Sequence, residues 1–142
     1  MKQDEIVLTG GYPAYEALHE FVVLFGRSAG YSPEFMEDIQ LALKEAFVNA
    51  VKHGNREQRE RSVTCSLTAS ASGLQASIRD CGAGFALSEL SDPTEGANRT
   101  KTSGRGLYII QSIAEIVALV RDGEGSTLIL SFQDSAHPHL PA

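Results

Sequence analysis

Basic charge is scarce in this chain. Lysine and arginine number 12 against 18 aspartates and glutamates, for a net charge of −6. That balance argues against nucleic acid as the main partner, because holding a phosphate backbone needs a basic face. It does not exclude a basic protein surface. Cysteine is nearly absent: Cys65 and Cys81 are too few for a disulfide framework, and a reduced, cytoplasmic setting is the simpler expectation. No apolar run approaches the roughly 20 residues that span a bilayer. No cationic segment followed by an apolar one opens the chain, so neither a signal peptide nor a membrane is expected. Internal repeats are missing too. So is the run G-x-x-x-x-G-K-[ST], which excludes a P-loop. H-R-D and D-F-G are also lacking, which excludes a eukaryotic-type protein kinase.

What is present reads as an ordinary globular chain. With 142 residues, 42% of them apolar and 21% charged, one domain covering 1–142 is expected, with enough chain for a core. Residues 5–9 alternate as a short strand and stop at Gly10-Gly11. Pro13 suits the first turn of a helix whose period runs through Leu18, Phe21, Val22 and Phe25 to about Ser28, with Gly30 as its stop. Ser32 as N-cap, Pro33 at the first position and Glu34, Glu37 and Asp38 in the first turns predict a second helix over residues 33–53, ended by Gly54. Two paired strands are predicted over 63–69 and 74–79, turning at 70–73. Residues 86–103 lack periodicity after Leu90 and read as a loop with one helical turn near 87–90. A helix is predicted over 106–116, then a hairpin of 118–121 and 127–132 around Asp122-Gly123-Glu124-Gly125, then a frayed tail at 135–142. Strand, two helices, hairpin, loop, helix, hairpin is neither a βαβ alternation nor an all-β pattern. It predicts an α+β two-layer sandwich: a mostly antiparallel sheet covered on one face by about three helices.

Three segments carry polar chemistry. On the second helix Glu45, Asn49 and His53 recur every fourth residue, which stacks them on one face. Ala42, Leu43, Ala46, Phe47, Ala50 and Val51 form the apolar face. Asn49 offers a neutral oxygen to a hard cation such as Mg²⁺. Glu45 can take a proton from an attacking hydroxyl or water. Taken singly both also read as a solvated face, and His53 reads as a helix-end residue that complements the dipole. Next, Arg79-Asp80-Cys81-Gly82-Ala83-Gly84-Phe85 follows a strand directly. The Asp80 oxygens suit an exocyclic amine such as adenine N6, and Gly82 and Gly84 let backbone approach a flat base. Cys81 inside this segment is a thiol whose modification is expected to weaken nucleotide binding. Third, Thr102-Ser103-Gly104-Arg105-Gly106-Leu107 enters a helix, where free N–H groups and the positive dipole end suit phosphate, with Arg105 adding charge.

In this order the segments resemble the GHKL ATPase superfamily, the group that contains histidine kinases, gyrase-type ATPases and the anti-sigma factor serine kinases. Glu45-x-x-x-Asn49-Ala-x-x-His53-Gly54 is similar to its N box, Asp80-x-Gly82-x-Gly84-Phe85 to its first glycine box and Gly104-Arg105-Gly106-Leu107 to its second. Gly125-Ser126-Thr127 resembles its last box, with Thr127 on the phosphate side. The likeness spans about residues 5–132. It implies the Bergerat ATP-binding fold, an ATP lid over 86–103 in which Arg99 and Lys101 reach phosphate, and the cofactors ATP and Mg²⁺. It further implies Glu45 as catalytic base, Asn49 as metal ligand, Asp80, Gly82, Gly84 and Phe85 around adenine, and Gly104, Arg105, Gly106, Leu107 and Thr127 on the phosphates. The run from Ala42 to His53, with no long segment before the first strand or after the last hairpin, resembles the anti-sigma serine kinases and their partner-switching relatives. That branch implies phosphorylation of a STAS-domain anti-anti-sigma protein, binding of a sigma factor and, optionally, a homodimer. Two other readings stand beside it: an ATP-binding regulatory module without phosphotransfer, and a stand-alone histidine-kinase-like catalytic domain.

Overall fold

A computed structural model describes residues 2–82 and 106–134 of the chain. The elements run β1 (Gln3–Leu8), a 3-10 turn (Tyr12–Ala14), α1 (Tyr15–Ala29), α2 (Pro33–Asn49), a π-helical turn (Ala50–Gly54), β2 (Val63–Ser70), β3 (Gly73–Asp80), α3 (Gly106–Ile113), β4 (Glu115–Arg121) and β5 (Ser126–Gln133). The five strands form one antiparallel sheet in the order β1-β2-β3-β5-β4. This is the α+β architecture expected from the order of elements.

One face of the sheet is apolar and the other polar, because the strands alternate. Val63, Cys65 and Leu67 of β2, Leu74, Ala76 and Ile78 of β3, and Leu128, Leu130 and Phe132 of β5 all point inward. Register aligns them in rows across the sheet: Ile6, Cys65, Ile78 and Leu128 in one, Leu67, Ala76 and Leu130 in the next. Onto these rows α1 packs Leu18, Val22 and Phe25, α2 packs Ile39, Leu43 and Phe47, and α3 packs Ile110. Burying each large side chain contributes about 1.5–3 kcal/mol.

The start of α2 is set by local chemistry. Ser32 has extended backbone, and its Oγ accepts the N–H of Phe35 at 3.2 Å. Pro33 costs nothing at a position whose N–H has no helical partner. Just upstream, Gly30 ends α1 with φ +78°, a left-handed conformation that glycine takes without strain.

Most boundaries shift by a residue or two, and two differ by more. The second helix is α-helical only to Asn49, after which Ala50–Gly54 widen into a π turn closed by Asn55 N–H to Ala50 C=O at 2.8 Å. The wider turn breaks the every-fourth-residue row, so Glu45 and Asn49 keep their α-helical relation and His53 leaves it. The third helix ends at Ile113, and residues 115–117 belong to β4. There the β-branched pair Ile116-Val117 takes up the hairpin with β5, with a register shift between Ile116 and Ala118. The expected loop, its helical turn and the tail fall outside the described residues.

Ser32→Ala removes the cap of the helix that carries Glu45 and Asn49. It is expected to lower unfolding stability by about 1 kcal/mol without changing the denaturant slope, as read by urea denaturation.

Candidate functional site

The inward row of Leu8 and Val63 continues across β3 at Asp80. A carboxylate therefore lies where the pattern would put an apolar side chain, and it is fully buried. Its Oδ1 accepts two backbone N–H groups, Gly82 at 3.2 Å and Ser126 at 3.1 Å. Its Oδ2 is buried and accepts no hydrogen bond among the described residues. Burial pushes the Asp80 carboxyl above its ordinary value, and the bonds from Gly82 and Ser126 and the charge of Arg79 only partly oppose this.

Glycine surrounds this carboxylate for a steric reason. A β-carbon on Gly54 would collide with Asp80 Oδ2, and one on Gly125 would collide with the Asp80 carbonyl. One on Gly82 would collide with the Gly54 carbonyl and lie 2.7 Å from Arg61 Nη1. The π turn brings Gly54 onto Asp80. Asn55, next in the chain and buried, fixes the arrangement: its Oδ1 accepts Cys81 N–H at 2.8 Å, and its Nδ2 donates to the Ser62 carbonyl at 3.0 Å. Asn55 was not singled out in the sequence, where it reads as a polar residue after a helix-ending glycine. The Cys81 thiol is exposed, 3.1 Å from Ser62 Oγ, whereas Cys65 is buried in the sheet and its thiol is pushed up to about 12 by burial, with the nearby Glu5 charge adding.

A second cluster lies where α2 meets α3. A β-carbon on Gly106 would stand 3.1 Å from Glu45 Oε1 and 3.5 Å from both polar atoms of the Asn49 side chain. Glu45 is half-buried; Asn49 is buried, and its Nδ2 has no partner among the described residues. The sequence-predicted N box and the first residue of α3 are thus in contact, with Leu107 half-buried just beyond. Beside them opens a cleft of about 430 Å³ lined by Tyr12, Lys44, Glu45, Val48, Asn49, Lys52 and Glu57. Tyr15 stands near Glu45, whose charge adds to burial in raising the phenol above its ordinary value. Among the described residues, no group of three or more His, Cys, Asp or Glu could hold a metal ion. The side-chain amide of Asn49 is a donor that a hard cation such as Mg²⁺ could use beside a ligand's own oxygens.

Thr127 is not where the sequence reading put it. Strand alternation turns it to the polar face, where its Oγ1 accepts from Arg79 Nη1 at 3.0 Å, and Arg79 also pairs with Asp122 at 2.9 Å. Ser126 is the residue on the side of Asp80. Gly84, Phe85, Gly104 and Arg105, and the loop cations Arg99 and Lys101, lie outside the described residues.

Residues 13–132 match the family of histidine kinase-like ATPase domains. Among curated proteins, the chain is similar to serine-protein kinase RsbW of Listeria monocytogenes, 28% identical over 109 residues that make up 72% of this chain and 69% of the relative. RsbW of Bacillus subtilis is 24% identical over 108 residues, 72% of this chain and 67% of that one. Among solved structures, the RsbU and RsbW domains of a Mycobacterium tuberculosis protein share the fold at a TM-score of 0.64 and 18% identity, over 94% of this chain and 32% of that one. The blue-light activated histidine kinase of Erythrobacter litoralis does so at 0.56 and 21%, over 75% of this chain and 33% of that one. The chain thus spans about a third of each of these two structures.

Two measurements check the Asp80 environment. A carboxyl raised by folding keeps its proton better in the folded state, so its contribution falls as pH rises from the unfolded value, about 3.9, through the folded one. Asp80→Asn has no such group. Its stability relative to the parent is expected to increase across that window, as read by nucleotide-free melting from acid to neutral pH. Alkylation of Cys81 is expected to lower ATP affinity, as read by titration calorimetry.

Proposed function

The chain belongs to the histidine kinase-like ATPase domain family, and from that footing we propose that it is an ATP-dependent serine/threonine protein kinase of the anti-sigma type. On this reading residues 1–142 act as one ATP-binding unit, and its acceptor is a STAS-domain anti-anti-sigma protein. A sigma factor is the alternative partner, and phosphorylation of the acceptor decides which of the two is held. The curated relatives carry the name serine-protein kinase RsbW, which supports the choice of acceptor amino acid.

The observation that carries the proposal is that two buried polar atoms, Asp80 Oδ2 and Asn49 Nδ2, lack partners among the described residues, and that each has a glycine packed against its residue, Gly54 at Asp80 and Gly106 at Asn49. Buried polar atoms cost stability unless something bonds them. Asp80 Oδ2 suits the N6 amine of adenine, with Gly82 giving the base close access to backbone and Ser126 flanking it. At the other end Gly106 opens the N-terminus of α3 to phosphate, with Gly104, Arg105 and Leu107 assigned to the same task and Gly84 and Phe85 to the adenine side. Asn49 would hold Mg²⁺ through its side-chain oxygen, since amide oxygen and nitrogen exchange by a simple flip. Bound there, the metal would supply charge neutralisation for the phosphates.

Glu45 is the base. A serine or threonine oxygen of the acceptor attacks the terminal phosphorus of ATP, and the bond from that phosphorus to the ADP oxygen breaks. The hydroxyl proton passes to the Glu45 carboxylate. Removing the base while keeping its shape separates catalysis from binding. Glu45→Gln is expected to lower phosphotransfer by about a hundredfold or more while leaving ATP affinity within about threefold. The check is incubation of the protein with Mg-ATP and purified STAS-domain proteins, followed by detection of acid-stable phosphoserine or phosphothreonine. Tight ATP binding with no transfer would favour a regulatory module. Acid-labile phosphate on a partner would favour a histidine-kinase-like domain.

A further inference from the structure

The cleft beside Glu45 is lined by Glu45 and Asn49 but not by Asp80, Gly82 or Ser126. It therefore lies at the reaction end of the site, away from the adenine end. In an in-line transfer the attacking hydroxyl comes from the side of the phosphorus opposite ADP and within hydrogen-bond reach of its base. A cleft that contains the base is where such a hydroxyl must arrive, and about 430 Å³ falls in the range of ligand-sized sites.

One wall is the surface of α2. Lys44, Glu45, Val48 and Asn49 line it from the helix and Lys52 from the π turn that follows. The other wall is built from two segments far apart in sequence. Tyr12 Oη donates to Glu57 Oε2 at 2.8 Å. Burial and the Glu57 carboxylate push the Tyr12 phenol up to about 12. The Glu57 backbone is held at a cost. Arg56 and Glu57 have φ of 54° and 61°, a left-handed conformation that residues with side chains seldom adopt twice running. Glycine at either place would relieve it. Four hydrogen bonds fix the turn instead: Glu57 N–H to Val51 C=O at 2.8 Å, Gln58 N–H to Asn55 C=O at 3.1 Å, Gly10 N–H to Arg59 C=O at 3.0 Å and Arg59 Nε to Gly10 C=O at 3.1 Å. Backbone strain kept in place by its surroundings concentrates at functional sites. Here it holds a carboxylate on a phenol in the lining of the cleft that also contains Glu45.

We infer, on the kinase reading above, that Tyr12 and Glu57 form a positioning wall for the protein acceptor, seating its hydroxyl-bearing segment between themselves and the opposite side of the cleft, Lys44, Val48 and Lys52, so that the hydroxyl meets Glu45. Neither residue is among those assigned to adenine or to the metal, so the pair is expected to act on acceptor binding more than on nucleotide binding. Both are exposed, with Tyr12 at 40%, and their replacement leaves the core intact.

The test is steady-state phosphotransfer from Mg-ATP to purified STAS-domain proteins of the source organism by the parent, Tyr12→Phe and Glu57→Gln. Each variant is expected to raise the acceptor KM by about tenfold or more, with the ATP KM within about twofold and kcat at saturating acceptor within about threefold. Folding of each variant is checked by its melting transition, and either folded variant alone decides the outcome. An unchanged acceptor KM overturns the inference, as does an ATP KM that rises in parallel. Those results leave the kinase reading standing, because the parent transfers phosphate. No transfer by the parent to any STAS-domain protein overturns both.

Discussion

Asp80 occupies a core position, and the surrounding residues are shaped to hold a carboxylate there. Two backbone N–H groups, from Gly82 and Ser126, satisfy one oxygen. The other lies buried with nothing from the described residues bonded to it. Gly54 and Gly125 lack β-carbons because any would strike Asp80, and Gly82 lacks one because it would strike Gly54 and Arg61. The π turn after α2 follows from the same constraint, since it lays Gly54 against the carboxylate. Leaving such a group underbonded lowers stability, and an active site often accepts that cost in exchange for ligand affinity.

From this point the site is organised by one helix. The π turn after α2 meets Asp80 through Gly54, and the last turns of α2 present Asn49 and Glu45 to the start of α3. On the proposed reading a nucleotide would have its base toward Asp80 and its terminal phosphate toward Glu45. On that reading, the separation of Asp80 from Glu45 is set by an element anchored by Leu43, Ala46 and Phe47, each buried in the core. Placing reacting groups on a packed helix limits the misalignment that lowers rates.

Much of this was legible in the sequence because it depends on local chemistry. Ser32 and Pro33 mark the start of α2, Gly30 marks the end of α1, and alternation gives β2, β3 and β5. Glu45 and Asn49 share a face by spacing alone. What was not legible depends on contacts between distant residues. The π turn follows from packing Gly54 on Asp80 and leaves no trace in helical periodicity, so His53 was placed on a row it does not share. Thr127 and Ser126 differ by one position, and in a strand one position exchanges faces. Only the register of β5 on β3 shows which of them stands beside Asp80. The pairing of Tyr12 with Glu57 spans 45 residues and carries no periodic signal.

The central claim is that the open oxygen of Asp80 is kept for the exocyclic amine of adenine. It is tested most directly by comparing the affinities of ATP and inosine triphosphate, which differ at the 6-position in bearing an amine or a carbonyl. An acceptor oxygen facing a carbonyl loses its hydrogen bond and meets like partial charge. ATP is therefore expected to bind about tenfold more tightly or better. Equal affinities would contradict the account.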